Sequence, residues 1–293
     1  MSGKRRSTPY ALLAPGFLWL AVFFVVPLFF MGIIALESGS LDQGFALTWE
    51  FSNFPDSLKT FDTQFIRSFV YAGAATILCL LIAYPLAYFI AFRGGKYKNA
   101  LLLAVIAPFF TTYLIRTIAW QTILADESPV VDVLKFIGVL PDDGRLLDTP
   151  ASVIAGLTYN FLPFMILPIY ASLESIDKRL VEASKDLYAS ASTTFRRVTL
   201  PLSAPGVIAG TLLTFIPAVG DYINADFLGG PGQAMIGNVI QSQYLVIKDY
   251  PVAAALSFVL MALILIIVLI YIRFAGSEAL MGDEAEESSG AKP

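Results

Sequence analysis

The sequence predicts an all-α integral membrane protein with six transmembrane helices. Of its 293 residues, 57% are hydrophobic and only 14% are charged, and the mean hydropathy is +0.71. Soluble domains carry charges at roughly a quarter of their positions. Apolar runs alternate with polar segments, and most runs approach the ~20 residues that a membrane-spanning helix needs. We expect an N-terminal segment at 1–9, a six-helix membrane domain at 10–274 and an acidic, disordered tail at 275–293.

The predicted elements follow the apolar runs in chain order. Pro27 is expected to bend the first span, because proline removes a helical hydrogen bond. Short helices are expected at 55–61, between the first two spans, and within 130–140, between the third and fourth. The predicted spans are 10–36, 66–92, 100–124, 151–173, 206–219 and 251–274.

Lysine and arginine fall mainly on one side of this topology, and cytoplasmic loops carry the excess of these residues. Both termini, the 93–98 connection and the loop at 174–205 share that side, so we expect all of them in the cytoplasm. The basic residues on it are Lys4, Arg5, Arg6, Arg93, Lys96, Lys98, Lys178, Arg179, Lys185, Arg196, Arg197, Arg273 and Lys292. The opposite segments hold Lys59, Lys135, Arg145 and Lys248.

Several kinds of chemistry are disfavoured by residues that the chain lacks. It has no histidine, the commonest metal ligand and general base, and its one cysteine, Cys79, is expected to be a buried thiol. No G-x-x-x-x-G-K-[ST] segment is present, so this chain is not expected to bind ATP. We predict no catalytic residue, no metal or other cofactor on this chain and no nucleic-acid partner; its predicted surroundings are membrane lipid.

The loop at 174–205 is strongly charged although it lies between two apolar spans. A short helix is predicted at 178–187 with Asp177 as its N-cap, and Ser192 is expected to cap a second helix that ends before Pro201. Apolar residues at helical spacing form a stripe, which favours docking in the groove of a partner. The alternative is an ordinary charged loop that packs only on its own membrane domain. The stripe consists of Leu180, Ala183, Leu187 and Ala191.

This loop resembles the EAA loop of type I ABC-importer permeases, which reads Glu-Ala-Ala, three residues, Gly, nine residues, Ile, one residue, Leu-Pro. The resemblance implies six transmembrane helices and a cytoplasmic coupling helix that docks on an ATPase. The matching residues are Glu182, Ala183, Ser184, Tyr188 in place of the glycine, Val198, Leu200 and Pro201. The ATPase-coupling residues that it implies are Glu182, Ala183, Ser184, Asp186, Leu187, Tyr188 and Ala189.

Tyr188 departs from the family pattern. Glycine tolerates the positive φ of a turn, whereas a left-handed conformation costs a residue such as tyrosine roughly 1–2 kcal/mol. Either the turn keeps a negative φ in this chain, or the groove of the ATPase accepts the ring.

Two other segments resemble the spermidine/putrescine subgroup of these permeases. The segment 108–121 is similar to a pattern of proline, a polar-aromatic run and Leu-x-Arg-Thr-x-Ala-Trp, and 215–232 contains Gly-Asp-Tyr, which in that subgroup lies near the outer gate. Carboxylates combined with aromatic rings suit amine cations. The implied residues of the substrate path or gate are Tyr113, Arg116, Trp120, Asp221, Tyr222 and Asp226.

For two of these residues, the sequence leaves a purely structural role as an alternative to a role in transport. Arg116 is the only charge deep in a predicted span and is expected to face protein or water, where it either pairs with an acid or carbonyl or takes part in gating. Asp221 either meets a cation or caps a helix.

The resemblance implies the permease subunit of an ATP-driven importer that moves spermidine or putrescine delivered by an extracytoplasmic binding protein. The implied partners are that protein, a second permease subunit and two cytoplasmic ATPase subunits, which hold ATP and Mg. Similar permeases serve opines, phosphonates or thiamine, so another small polar solute remains an alternative. An ion-coupled secondary transporter is disfavoured because no acid lies inside a predicted span, and an intramembrane enzyme because no nucleophile–base pair does.

Overall fold

The computed structural model describes residues 8–275, with side chains described from residue 13 to residue 273. The predicted N-terminal segment before residue 8 and the predicted acidic tail after residue 275 lie outside the described residues.

The described chain is almost entirely helical, with one β-hairpin near its N-terminal end. The helices are α1 Thr8–Leu20, α2 Val26–Ile34, α3 Asn53–Thr60, α4 Asp62–Arg93, α5 Lys98–Ile106, α6 Tyr113–Leu124, α7 Pro129–Phe136, α8 Pro150–Ser175, α9 Lys178–Asp186, α10 Ala191–Thr194, α11 Leu200–Leu202, α12 Ala204–Val219, α13 Ile223–Leu228, α14 Ile236–Ser242 and α15 Tyr250–Ala275. The strands are β1 Glu37–Ser40 and β2 Gly44–Leu47. Wide π-helical turns occupy Ala21–Val25, Phe195–Thr199 and Gln243–Ile247, and 3₁₀ turns occupy Gly95–Tyr97, Ala107–Phe110 and Pro231–Gln233.

Length and composition allow four of the described helices to cross a membrane, or six if each of two bent pairs is one span. The four agree with the predicted first, second, fourth and sixth spans, so the chain is a multi-pass membrane protein; the count of six stays a prediction. The four are Leu13–Ile34, Asp62–Arg93, Pro150–Ser175 and Tyr250–Arg273. The bent pairs are Gly95–Phe110 with Tyr113–Leu124 and Ala191–Leu202 with Ala204–Val219.

The third predicted span is wrong as a continuous helix over 100–124, because its two halves meet at 94°. Pro108 lies in a 3₁₀ turn, and Thr111 and Thr112 have extended backbones. The Thr112 side chain then accepts a hydrogen bond from the Ile115 N–H and so caps a new helix, α6.

Two prolines, Pro27 and Pro201, each follow a π-helical turn that lets the chain stay helical around them. The turn Ala21–Val25 ends two residues before Pro27, and the turn Phe195–Thr199 ends two residues before Pro201. A wider turn gives room to the carbonyl that the proline ring would otherwise strike. The prediction that a helix ends before Pro201 is therefore wrong, since helical geometry continues to Leu202.

The described chain forms two compact units: residues up to Asp62 together with Val239–Ala262, and Thr63–Asn238 together with residues from Leu263 onward. In the first unit, β1 and β2 pair antiparallel in a hairpin that the sequence did not predict. The short helix predicted at 55–61 is present as α3, and its Asn53 side chain donates to the carbonyls of Ala35 and Glu37 at 3.0 Å each.

The second unit is built around the packing of α12 against α8. Gly206 and Gly210 of α12 face α8 four residues apart: a Cβ on Gly206 would lie 2.5 Å from the Pro168 carbonyl oxygen, and one on Gly210 would lie 3.0 Å from that of Met165. Pairs of small residues at this spacing let two membrane helices approach closely. The unit also contains the predicted short helix of 130–140, as α7, and Cys79, which is fully buried.

We expect Gly206→Ala to destabilise the protein by about 1–3 kcal/mol, because the added methyl group meets backbone that cannot move aside. Gly73→Ala in α4 is the matched control, since nothing lies within 4 Å of a Cβ there. Thermal unfolding of the two variants in detergent measures the difference, and equal midpoints would contradict the close approach of α12 to α8.

Candidate functional site

The helix α9 of the charged loop forms as predicted. The Asp177 carboxylate accepts the Arg179 N–H at 2.9 Å and caps the helix, which runs to Asp186. The second helix is capped by Ser190, whose hydroxyl oxygen accepts the Thr193 N–H at 3.2 Å. The predicted cap at Ser192 is wrong, because the extended residue that precedes the helix is Ser190.

Tyr188 has φ 57°, so of the two alternatives that the sequence left open, the turn with a negative φ is excluded. Two backbone hydrogen bonds explain the turn: the Ala189 N–H donates to the Ser184 carbonyl at 3.1 Å, and the Tyr188 N–H donates to the Lys185 carbonyl at 2.9 Å. These are the two bonds of a Schellman motif, whose left-handed residue is usually glycine. Tyr188 therefore matches the glycine of the family pattern in its sequence position and also has the left-handed backbone conformation that glycine usually adopts in this motif.

The two faces of α9 differ in what covers them. Val181 packs against the hydrophobic cluster of α4 and α8, and the Ser184 hydroxyl lies 2.9 Å from that of Thr194. On the other side, Leu180 is 48% exposed, Leu187 is 82% exposed and Tyr188 is 97% exposed. The remaining coupling candidates Glu182, Ala183 and Asp186 are exposed, and Ala189 is half-buried. The helix is thus anchored along one side and presents uncovered apolar groups on the other.

A second candidate region is a buried polar network that joins α6 to the segment after α12. The Tyr113 hydroxyl donates to Asp221 Oδ2 at 2.5 Å, and the Asn224 amide donates to the Tyr113 oxygen at 2.5 Å. The other carboxylate oxygen, Asp221 Oδ1, accepts the Asn224 N–H at 2.8 Å. Asp221 therefore anchors the start of α13, as one of its two predicted roles required, while its second oxygen faces Tyr113.

Residues that the sequence analysis did not assign extend this network. The Asn160 amide of α8 donates to Asn224 Oδ1 at 3.1 Å and to Thr117 Oγ1 at 3.3 Å. All three of these side chains are essentially inaccessible to solvent. The signal in the sequence was an amide within an apolar run, since polar groups inside a membrane segment bind one another.

Arg116 lies next to this network and is 8% exposed. Its guanidinium stands over the rings of Phe109 and Tyr113, at 5.0 and 5.6 Å from their centroids. Nε and Nη1 are buried without a hydrogen-bond partner, and no described carboxylate is within ion-pair distance. Within the described chain, the predicted pairing of Arg116 with an acid or carbonyl is therefore not made through these two nitrogens.

The remaining gate candidates lie outside the network. Trp120 packs its ring against Tyr159, at 5.4 Å between centroids. Tyr222 is 40% exposed and uses its backbone carbonyl to accept from the Asn238 amide, and Asp226 is exposed. The structure thus brings together Tyr113, Arg116 and Asp221 from the predicted set.

Burial raises the pKa of Asp221 above its ordinary value, and the hydrogen bonds from Tyr113 and Asn224 oppose that rise. Desolvation disfavours the charged carboxylate, whereas a cation placed beside it would favour that form. The site is therefore suited to a positive group that replaces the water lost on burial.

Sequence relatives cover most of the chain. It is 38% identical to the spermidine/putrescine transport system permease protein PotB of Haemophilus influenzae over 260 residues, which are 88% of this chain and 90% of the relative. It is 41% identical to the protein of the same name from Escherichia coli over 208 residues, 71% of this chain and 76% of the relative. It is 35% identical to the inner membrane ABC transporter permease protein YdcU of Escherichia coli over 229 residues, 73% and 72% of the two chains.

Solved structures share the fold. A chain of the bacterial alginate ABC transporter, in complex with alginate pentasaccharide-bound periplasmic protein, superposes with a TM-score of 0.68 at 22% identity, covering 94% of this chain and 96% of that one. A chain of the inward-facing MetNI methionine ABC transporter gives a TM-score of 0.53 at 20% identity, covering 74% and 93%. The family model described as "Binding-protein-dependent transport system inner membrane component" matches residues 83–277. The chain therefore belongs to the family of binding-protein-dependent transport system inner membrane components.

Proposed function

We propose that this chain is the permease subunit of an ATP-driven ABC importer that translocates spermidine and putrescine. The observation that carries the proposal is the 38% identity over 88% of the chain to a relative named as a spermidine/putrescine permease. Within this proposal, the half-buried acid of Asp221 and ring of Tyr113 supply groups that an amine cation can use.

The proposed complex contains a second permease subunit, two cytoplasmic ATPase subunits and an extracytoplasmic substrate-binding protein. ATP and Mg are held by the ATPase subunits, and this chain performs no catalysis. The bias of lysine and arginine supports cytoplasmic placement of both termini and of the loop that contains α9.

The uncovered face of α9 is the proposed contact with the ATPase. Leu187 and Tyr188 protrude at the end of the helix, where a groove on a partner can cover them. Glu182 and Asp186 are exposed carboxylates one helical turn apart, and cations on the partner would relieve their repulsion. Movement of the ATPase subunits on ATP binding would be transmitted through Val181, which packs against the cluster of α4 and α8, while Ser184 ties α9 to α10.

The network around Asp221 is the proposed gate. An incoming amine would replace the Tyr113 hydroxyl as the partner of Asp221, and Tyr113 is also the ring beneath Arg116. Arg116 is buried with two unpaired nitrogens, and a carboxylate brought to them in good geometry would supply the partner that a buried charge otherwise lacks. We place Trp120, Tyr222 and Asp226 along the path but outside the gate itself.

Another small polar solute, such as an opine, a phosphonate or thiamine, is the second candidate for the cargo. It rests on the same permease class. An anionic cargo such as a phosphonate would favour Arg116 over Asp221 as the contact, so it predicts the opposite charge requirement at the network, whereas thiamine is a cation and predicts the same requirement as an amine.

The proposed function is tested by uptake of labelled spermidine and putrescine into proteoliposomes that contain the whole importer. We expect uptake to require enclosed ATP and the binding protein, and to persist when ionophores collapse the proton and sodium gradients. Uptake that follows a gradient without ATP would contradict an ATP-driven importer, and ATP-driven uptake of neither amine would contradict the polyamine cargo.

In the same assay we expect Asp221→Asn to reduce amine uptake by about tenfold or more, because the charge that meets the amine is lost. Asp142→Asn is the matched control: it removes an exposed carboxylate that lies outside both the network and the proposed substrate path, so uptake should stay close to wild type. Equal loss in both variants, or in neither, would remove Asp221 from the gate.

Tyr188→Gly tests the exposed turn of the coupling loop. We expect the free energy of unfolding to rise by about 1 kcal/mol, because glycine adopts the left-handed conformation without strain. If the ring docks on the ATPase, coupled uptake should nevertheless fall, whereas Tyr188→Phe should retain uptake. Higher stability together with unchanged uptake in Tyr188→Gly would show that the ring has no part in docking.

A further inference from the structure

A cavity of about 340 Å³ lies within the first unit, between the end of α2 and the beginning of α15. Met31 and Ile34 of α2 line one wall. Ala253 and Ala254 of α15 also line the cavity. The volume is at the lower end of the range found for small-molecule sites, and these walls are apolar.

The polar groups that line the cavity are one carboxylate, two phenol rings and the Ser257 hydroxyl. Glu37, the first residue of β1, lines the cavity together with Tyr244 and Tyr250. The two tyrosine rings meet edge to face, with centroids 5.2 Å apart, and Phe45 of β2 meets Tyr250 in the same way at 5.6 Å. No lysine or arginine is among the residues that line this cavity.

The hairpin holds Glu37 on the side of the cavity. Glu37 pairs with Leu47 and Gly39 with Phe45, so Glu37 and Phe45 share one face of the two-stranded sheet. Asn53 fixes the start of the strand, because its amide donates to the Ala35 and Glu37 carbonyls. This bond involves the Glu37 backbone and leaves the carboxylate available.

The Glu37 carboxylate has no partner among the described side chains. It is half-buried, and none of the hydrogen bonds or ion pairs of the described residues involves its oxygens. A carboxylate near the faces of aromatic rings is the arrangement that recognises ammonium groups through charge pairing and cation–π contact. The adjoining apolar walls suit an alkyl chain on that ammonium group.

We propose that Glu37, Tyr244 and Tyr250 form a binding site for a primary alkylammonium group, separate from the network at Asp221. Two sources carry this chemistry: a free amine in the aqueous phase, and the headgroup of an aminophospholipid such as phosphatidylethanolamine. The proposal of a binding site is argued from the cavity and its lining residues and does not depend on what the chain transports. Only the occupation of this site by transported amines depends on the proposed function. Occupation would neutralise Glu37 where it borders an apolar cavity.

The test is equilibrium binding of labelled putrescine to the whole importer in nanodiscs of phosphatidylcholine and phosphatidylglycerol, which contain no primary ammonium group. We expect Glu37→Gln to weaken the binding by about tenfold, since the ion pair is lost while the shape is kept. Tyr244→Leu should weaken it by about threefold and Tyr244→Phe should not, because the ring supplies the cation–π contact. Glu50→Gln is the matched control, a glutamate of the same segment whose carboxylate accepts the Ser52 hydroxyl at 2.6 Å.

A second arm distinguishes the two sources. Nanodiscs that also contain phosphatidylethanolamine are analysed by native mass spectrometry for lipid retained on the protein. Glu37-dependent putrescine binding supports a free amine, and Glu37-dependent lipid retention supports the headgroup. If neither ligand responds to Glu37→Gln or Tyr244→Leu, or if Glu50→Gln has the same effect, the site does not exist.

This outcome is separable from that of the proposed function. If the importer takes up amines but neither putrescine nor phosphatidylethanolamine binds in a Glu37-dependent way, the site is refuted and the proposed function stands. Glu37-dependent binding without amine uptake would refute the polyamine cargo and leave the site in place.

Discussion

The close approach of α12 to α8 is the contact on which the rest of the second unit depends. It is possible because Gly206 and Gly210 carry no side chain where the backbone of α8 lies against them. The chain leaves α12 directly into Asp221 and α13, so the same packing sets the distance from Asn224 to Asn160 on α8. The absence of side chains at these two glycines thereby positions a hydrogen-bond network whose members are far apart in the sequence.

Two regions of the second unit are left incomplete by the chain alone. Nearly all buried polar groups in proteins find partners, yet Arg116 has two nitrogens without one among the described residues. Likewise, α9 presents Leu187 and Tyr188 with most of their surface uncovered. Arg116 lies over the ring of Tyr113, whose hydroxyl donates to Asp221, and Leu187 and Tyr188 directly follow α9 within the loop that resembles the EAA loop. Both features fit the proposed function, in which cargo and partner subunits would complete these two regions.

Local signals predicted the short helices α3, α7 and α9, but they missed the hairpin of β1 and β2 and misplaced the cap of α10. Geometry that depends on distant contacts was also missed. The Asp177 cap and the helix after it follow from a few adjacent residues, and the structure confirms them. The break before α6 was missed because Thr112 is a weak cap inside a strongly apolar run, and hydropathy suggested one helix. The sign of φ at Tyr188 was left open because side-chain preference and the Schellman hydrogen bonds act in opposite directions, and only the structure shows that the bonds prevail. Asn160 was overlooked because its partners lie 43 and 64 positions away in sequence.

The measurement that tests the central claim most directly is ATPase activity of the reconstituted importer with its binding protein, with and without spermidine or putrescine. Wild type and Glu182→Ala are compared, and size-exclusion chromatography confirms that both complexes remain assembled. We predict that the amines stimulate hydrolysis in wild type and that the stimulation is lost in Glu182→Ala. Full stimulation in the variant would contradict the coupling role of the exposed face of α9, and no stimulation of wild type by either amine would contradict the polyamine cargo.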